Sequence, residues 1–278
     1  RGKNSHFNIL YGLTNVAIVI WALGRYKVLG ADTIENAKFW THILYYGSIL
    51  VHILFIHAII VFLNKERERK YYLIFFYLNA VFLIILNTID FVFDQQLFIK
   101  TIEPFMFFSW FERGSTIYNL HLLNELVIPT WALFEMLIAY NKVDTLKKSQ
   151  LKLIIISSVF GFIGGNTVVL PIYGYNVVPI GVWFVPLNFL VMTYAIFRYG
   201  LISFRIILTE LFSFALIITF LVQTTFAETI EELAFRSLFL IITTVFVYLL
   251  IKSVYKEVEA RQEIERLAKD LSTANERL

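Results

Sequence analysis

Cysteine is absent from the 278 residues. Disulfides, thiolate metal centres and cysteine nucleophiles are therefore excluded, although the absence says little about compartment. Charge is scarce, at 16% of residues, and no accessible basic surface is large enough to bind nucleic acid. Proline numbers five, so long apolar stretches run as helix with few interruptions. Neither GxGxxG nor GxxxxGK[ST] occurs, and HExxH is missing. His42, His52 and His57 are spaced by ten and five residues, which makes no compact metal site, and no cofactor is implied. Haem would need two His facing one cavity across helices, and nothing in the sequence supports that arrangement. No internal repeat and no matched pair of Gly/Pro-broken helices suggests a transporter.

What is abundant is apolar surface: 58% hydrophobic residues, 28 Phe and a mean hydropathy of +0.70. A chain this size with that composition is a polytopic membrane protein. The apolar runs do not alternate with period two, so the class is all-α rather than β-barrel. Spans of about 20 residues are expected at 6–24, 39–63, 71–89, 116–140, 151–172, 178–199, 205–226 and 233–255, eight in all. With the C-terminus inside, twelve Lys and Arg fall in the inside loops, from Arg1, Lys3 and the Lys65–Lys70 cluster to Arg205, against six outside. The positive-inside rule thus places both ends in the cytoplasm. Starting from Arg1 in a short inside loop leaves room for a further helix upstream.

Residues 90–115, "DFVFDQQLFIKTIEPFMFFSWFERGS", form one long outside loop. Its aromatic halves read either as a two-stranded hairpin capping the bundle or as an interfacial aromatic anchor. Polar groups in hydrocarbon turn inward. His42 and Tyr45 share a face of the second helix, Asn87 and Asp90 close the third, and His121 and Glu125 stand four apart on the fourth. With Asn166 and Trp183 these make an expected ligand set in the outer half, for a small amphipathic molecule or a proton. The plainer alternative is interhelical hydrogen bonding. Gly161 and Gly165 in "GFIGGN" have GxxxG spacing, a weak sign of close helix contact.

The tail "KEVEARQEIERLAKDLSTANERL" (256–278) is charged and free of helix breakers. Ile264, Leu267, Leu271, Ala274 and Leu278 occupy a and d of one heptad register, whereas Val254 and Val258 fit another phase. The skip falls near Arg261, where coiled-coil winding would change. Parallel dimerisation through this coil is expected, the alternative being a solvated amphipathic helix.

"LAKDLSTANERL" resembles the lead-in to the phosphoacceptor helices of sensor histidine kinases. "MTYAIFRYGLISFRIILTE" (192–210) is similar to the end of the seven-helix N-terminal sensor region of such kinases, and "GSTIYNLHLL" (114–123) and the Trp21 region fit more loosely. The resemblance implies a protein of the bacterial inner membrane with a sensor bundle (1–199), two last spans (200–255) and a transmitter coil (256–278), passing a signal to a kinase core and thence to a response regulator. None of the five His lies in the tail, so the phosphoacceptor is not in this chain and no catalytic residue is assigned. The rival readings are the same sensor on another output, such as a diguanylate cyclase, a transporter or channel, and an intramembrane enzyme or cytochrome.

Overall fold

The computed structural model describes residues 3–199, 204–225 and 229–275. Two compact units divide the chain between Ala195 and Ile196. The first unit holds α1 (Lys3–Leu29), α2 (Ile34–Phe62), α3 (Lys70–Phe93), strands β1 (Ile99–Phe105) and β2 (Phe108–Gly114), α4 (Tyr118–Tyr140), α5 (Thr145–Asn166), the single-turn α6 (Val169–Ile172), a 3-10 turn (Ile180–Phe184) and most of α7 (Val185–Tyr199). The second holds α8 (Phe204–Thr225) and α9 (Ile230–Asn275). Eight helices follow the expected order; among the described residues six are long and apolar enough to cross a membrane, α7 and α8 having shorter apolar stretches, and the all-α polytopic bundle stands.

Several boundaries shift, each for a local reason. α2 starts five residues early because Thr33 accepts the Asn36 amide (3.3 Å) and Glu35 lies in the first turn, where the helix dipole favours an acid. α5 starts six residues early because Asp144 accepts the Lys147 amide (2.9 Å), so the basic run sits on helix rather than loop. α7 begins at Val185, not 178, and Pro186 is tolerated there because a first-turn residue has no intrahelical acceptor for its N–H.

α2 is the hub of the first unit, its apolar span far more buried than those of α1, α3, α4 or α5. α1 lies hard against it. A Cβ on Gly47 would sit 2.6 Å from both the Ala17 carbonyl and the Trp21 amide, so only glycine permits this approach. The GxxxG expectation is corrected in detail. Gly161 faces the Asn188 amide and Gly164 the Gly181 carbonyl, whereas Gly165 touches nothing within 4 Å.

Loop 90–115 is a hairpin, but a shorter one than its aromatic halves suggest. α3 continues to Phe93 and stops where Asp94 turns left-handed (φ 48°). The Asp90 carboxylate then accepts the amides of Leu97 (2.9 Å), Phe98 (2.9 Å) and Ile99 (3.0 Å), folding the chain back. β1 and β2 pair antiparallel with Ile102 opposite Glu112, and Met106 takes a positive φ in the turn. Phe98, Ile102, Phe105 and Phe111 are buried, and the Trp110 indole donates to the Ala31 carbonyl (3.0 Å). The hairpin therefore docks on the end of the bundle where α1 and α2 meet.

In the second unit Thr229 caps α9 by accepting the Glu232 amide (3.2 Å), and Arg236 donates to the Gln223 carbonyl of α8 (2.6 Å). α9 runs unbroken for 46 residues, about 69 Å at 1.5 Å per residue. Its apolar part, Ile230–Val258, is long enough to cross a bilayer.

Candidate functional site

Three polar groups are stacked along the buried face of α2. At the hairpin end, His42 donates from Nδ1 to the Asn87 Oδ1 (2.9 Å), and Asn87 returns a bond from Nδ2 to the His42 carbonyl (3.0 Å). Asp90 is committed to the three loop amides. These three expected ligand residues fasten α2 to α3 and turn the chain.

One turn deeper, the Tyr45 hydroxyl donates to Glu112 Oε1 (3.1 Å). Arg25 of α1 meets the same carboxylate in a two-pronged ion pair, Nη1 to Oε2 and Nη2 to Oε1, both 2.6 Å. The side chains are 6% and 0% exposed, and the guanidinium also lies 4.8 Å from the Phe111 ring centre. Tyr45 thus holds the hairpin. Neither Arg25 nor Glu112 was signalled by local sequence, being 87 residues apart.

The third group opens on a cavity. Ser48 donates to Glu125 Oε1 (2.9 Å), so the His121 Nε2 at 3.0 Å from the Ser48 oxygen is a donor. His121 and Glu125 approach to 3.2 Å, as their i,i+4 spacing suggests. The Nδ1 of His121 is buried without a partner. Pro129 offers no N–H to the Glu125 carbonyl, one turn back in α4, although the helix runs on through it.

The cavity leaves about 80 Å³ for the centres of water-sized groups, room for several waters or a small apolar body. α1 contributes Tyr11, Thr14 and Trp21; α2 contributes Ser48, His52 and Phe55; α4 contributes Glu125. The far wall is Ser157, Ser158, Phe162 and Asn166 of α5, with Asn188 and Met192 of α7. Of the expected set, Glu125 and Asn166 line it, and His121 stands directly behind. Trp183 is 82% exposed on the 3-10 turn and takes no part. No hairpin residue lines the cavity, so the aromatic loop does not roof it. Sequence reasoning missed Thr14, Ser48, Ser157 and Ser158, because small hydroxyls in apolar helices carry no motif. Among the described residues no cluster of His, Asp and Glu could hold a metal ion.

The opposite end has its own clasp. Glu135 of α4, with a 2% exposed side chain, accepts from Lys65 Nζ (2.5 Å) and Arg69 Nε (2.6 Å). At the hairpin end, Arg113 donates to the Pro171 carbonyl and Tyr173 to the Asn119 side chain. Burial, aided by the Glu125 carboxylate, pushes the Tyr173 phenol above its ordinary range.

Expected coil positions lie on α9 or beyond the described residues. Val254 and Val258 are half-buried, and Ile264, Leu267 and Leu271 are 66%, 54% and 75% exposed. Arg261 and Ala274 fall on the helix, while Leu278 lies outside the described residues.

Among the described residues, five long apolar helices in the first unit and a sixth in the second define a multi-pass membrane protein, and the first unit holds a largely apolar cavity with a few polar groups in its wall. Residues 3–207 match the family described as the N-terminal 7TM region of histidine kinase. The chain belongs to that family, and is a membrane sensor region of a histidine kinase. No curated protein and no solved structure matches it.

Proposed function

We propose that this chain senses a small amphipathic ligand in the cavity of the first unit and transmits the event along α9 to a cytoplasmic kinase core. The hairpin end faces outward, and the end carrying Lys65, Arg69, Lys147 and Lys148 faces the cytoplasm of a bacterial inner membrane, as the positive-inside rule requires. The continuity of α9 carries the reading. It leaves its apolar part at Val258 and continues through Asn275 without a break. A helix that exits a membrane as one piece passes on a tilt, rotation or slide.

The exposed Ile264, Leu267 and Leu271 share one stripe and pair with a second copy in a parallel coiled coil. Ligand binding biases two packings of the bundle, and a bias of a few kcal/mol is enough to switch the coil. The kinase core then phosphorylates its response regulator. The test is insertion after Arg261 in the intact kinase, reconstituted in lipid. One or two added residues shift the register and change basal autophosphorylation; seven restore the phase and the wild-type rate. Equal rates at every insertion length would refute the rod.

A further inference from the structure

The chemistry of the cavity wall selects among ligands, and this inference rests on the reading of that cavity as the stimulus site. Among the described residues neither Lys nor Arg lines it, and Glu125 is the only acid. Most hydroxyl protons around it are already donated elsewhere. Thr14 donates to the Leu10 carbonyl (2.8 Å), and Ser157 (2.9 Å) and Ser158 (2.6 Å) donate to the Ile154 carbonyl. Each hydroxyl therefore retains only acceptor capacity.

Asn166 behaves the same way. Its Nδ2 donates to the Phe162 carbonyl (2.8 Å), while its Oδ1 is buried without a partner. Glu125 Oε1 takes the Ser48 and His121 contacts, and its Oε2 accepts no bond from the described residues. An orphaned buried acceptor is costly, and a ligand donor relieves that cost. The remaining wall is aromatic and aliphatic, with Tyr11, Trp21, Phe55 and Phe162 offering faces to a cation or an apolar body. Tyr11, Trp21 and Asn188 carry the neutral donors, and an anionic head would meet the Glu125 carboxylate with no Lys or Arg beside it among the described lining residues.

The geometry points to a protonated amine on a small apolar body as the ligand of this cavity, its ammonium shared between Glu125 and Asn166. An inorganic cation would share the acceptors but leave the aromatic wall unused.

The test uses the chain in lipid nanodiscs and three probes with one body: 2-phenylethylamine, 2-phenylethanol and phenylacetate. Equilibrium dialysis should show saturable binding of the amine, at least about tenfold tighter than of phenylacetate. Glu125→Gln should weaken the amine about tenfold or more and leave phenylethanol within about threefold. Asn166→Asp should tighten it, which guards against a variant that merely misfolds. Preference for phenylacetate or phenylethanol overturns the amine and keeps the cavity as a ligand site. Displacement of the amine by millimolar sodium reassigns the site to an inorganic cation. Saturable binding of none of the three overturns the cavity reading as well.

Discussion

Removing Arg25 should release the hairpin. Arg25→Met leaves the Glu112 carboxylate fully buried, with the Tyr45 hydroxyl at 3.1 Å as its remaining side-chain donor. Breaking one partner of a buried ion pair costs about 3–5 kcal/mol, because the survivor keeps its desolvation penalty and loses its counter-charge. Replacing both partners with apolar groups should recover most of that loss. Tyr45→Phe removes a single hydrogen bond to a charged group and should cost less, about 1.5–3 kcal/mol. Hydrogen exchange of the β1 and β2 amides in nanodiscs reads the opening of the hairpin directly. A loss of about 3 kcal/mol should raise their exchange rates about 150-fold in Arg25→Met. The double variant Arg25→Met/Glu112→Leu should return to within about tenfold of wild type. Single-variant changes below about fivefold, or a double variant as fast as Arg25→Met, would refute the closed buried pair.

Two further substitutions probe the packing. Glu135→Ala deprives Lys65 and Arg69 of their shared acceptor and should lower bundle stability by about 2–3 kcal/mol, read by thermal unfolding in nanodiscs; Lys65→Ala alone should cost less, because Arg69 still holds the acid. Gly47→Val should separate α1 from α2, since a Cβ would stand 2.6 Å from two backbone atoms; the expected result is loss of folded, monodisperse protein, and normal yield and melting would contradict that contact.

The helices were legible because a bilayer demands about 20 apolar residues at each crossing, and such runs survive without tertiary information. Their ends were less so. Thr33 and Asp144 are N-caps that lie just upstream of the apolar runs, where hydropathy gives no signal. His121 and Glu125 could be paired in advance because helix geometry places them together. Their partner Ser48 sits 73 residues from His121, and only the packing of α2 on α4 joins them. Arg25, Arg69 and Lys65 look like loop charges when topology is counted, yet each is an arm of a specific clasp. Asp90 and Asn87 were recognised as inward-facing, but their hydrogen bonds go to neighbouring backbone and His42, and neither lines the cavity beside Glu125. The single-residue step from Gly164 to Gly165 separates a backbone contact from open space, which GxxxG spacing does not resolve.

The proposed relay through α9 is tested most directly by disulfide cross-linking in membranes, for which the absence of cysteine from these 278 residues is an advantage. Cysteine placed singly at Ile264, Leu267 or Leu271 should form dimers readily on mild oxidation. Cysteine at Glu265, Arg266 or Lys269, on the opposite face of the same register, should not. Periodic cross-linking with that phase is the predicted result. Equal cross-linking at all six positions, or none at Ile264, Leu267 and Leu271, would contradict a paired transmitter coil.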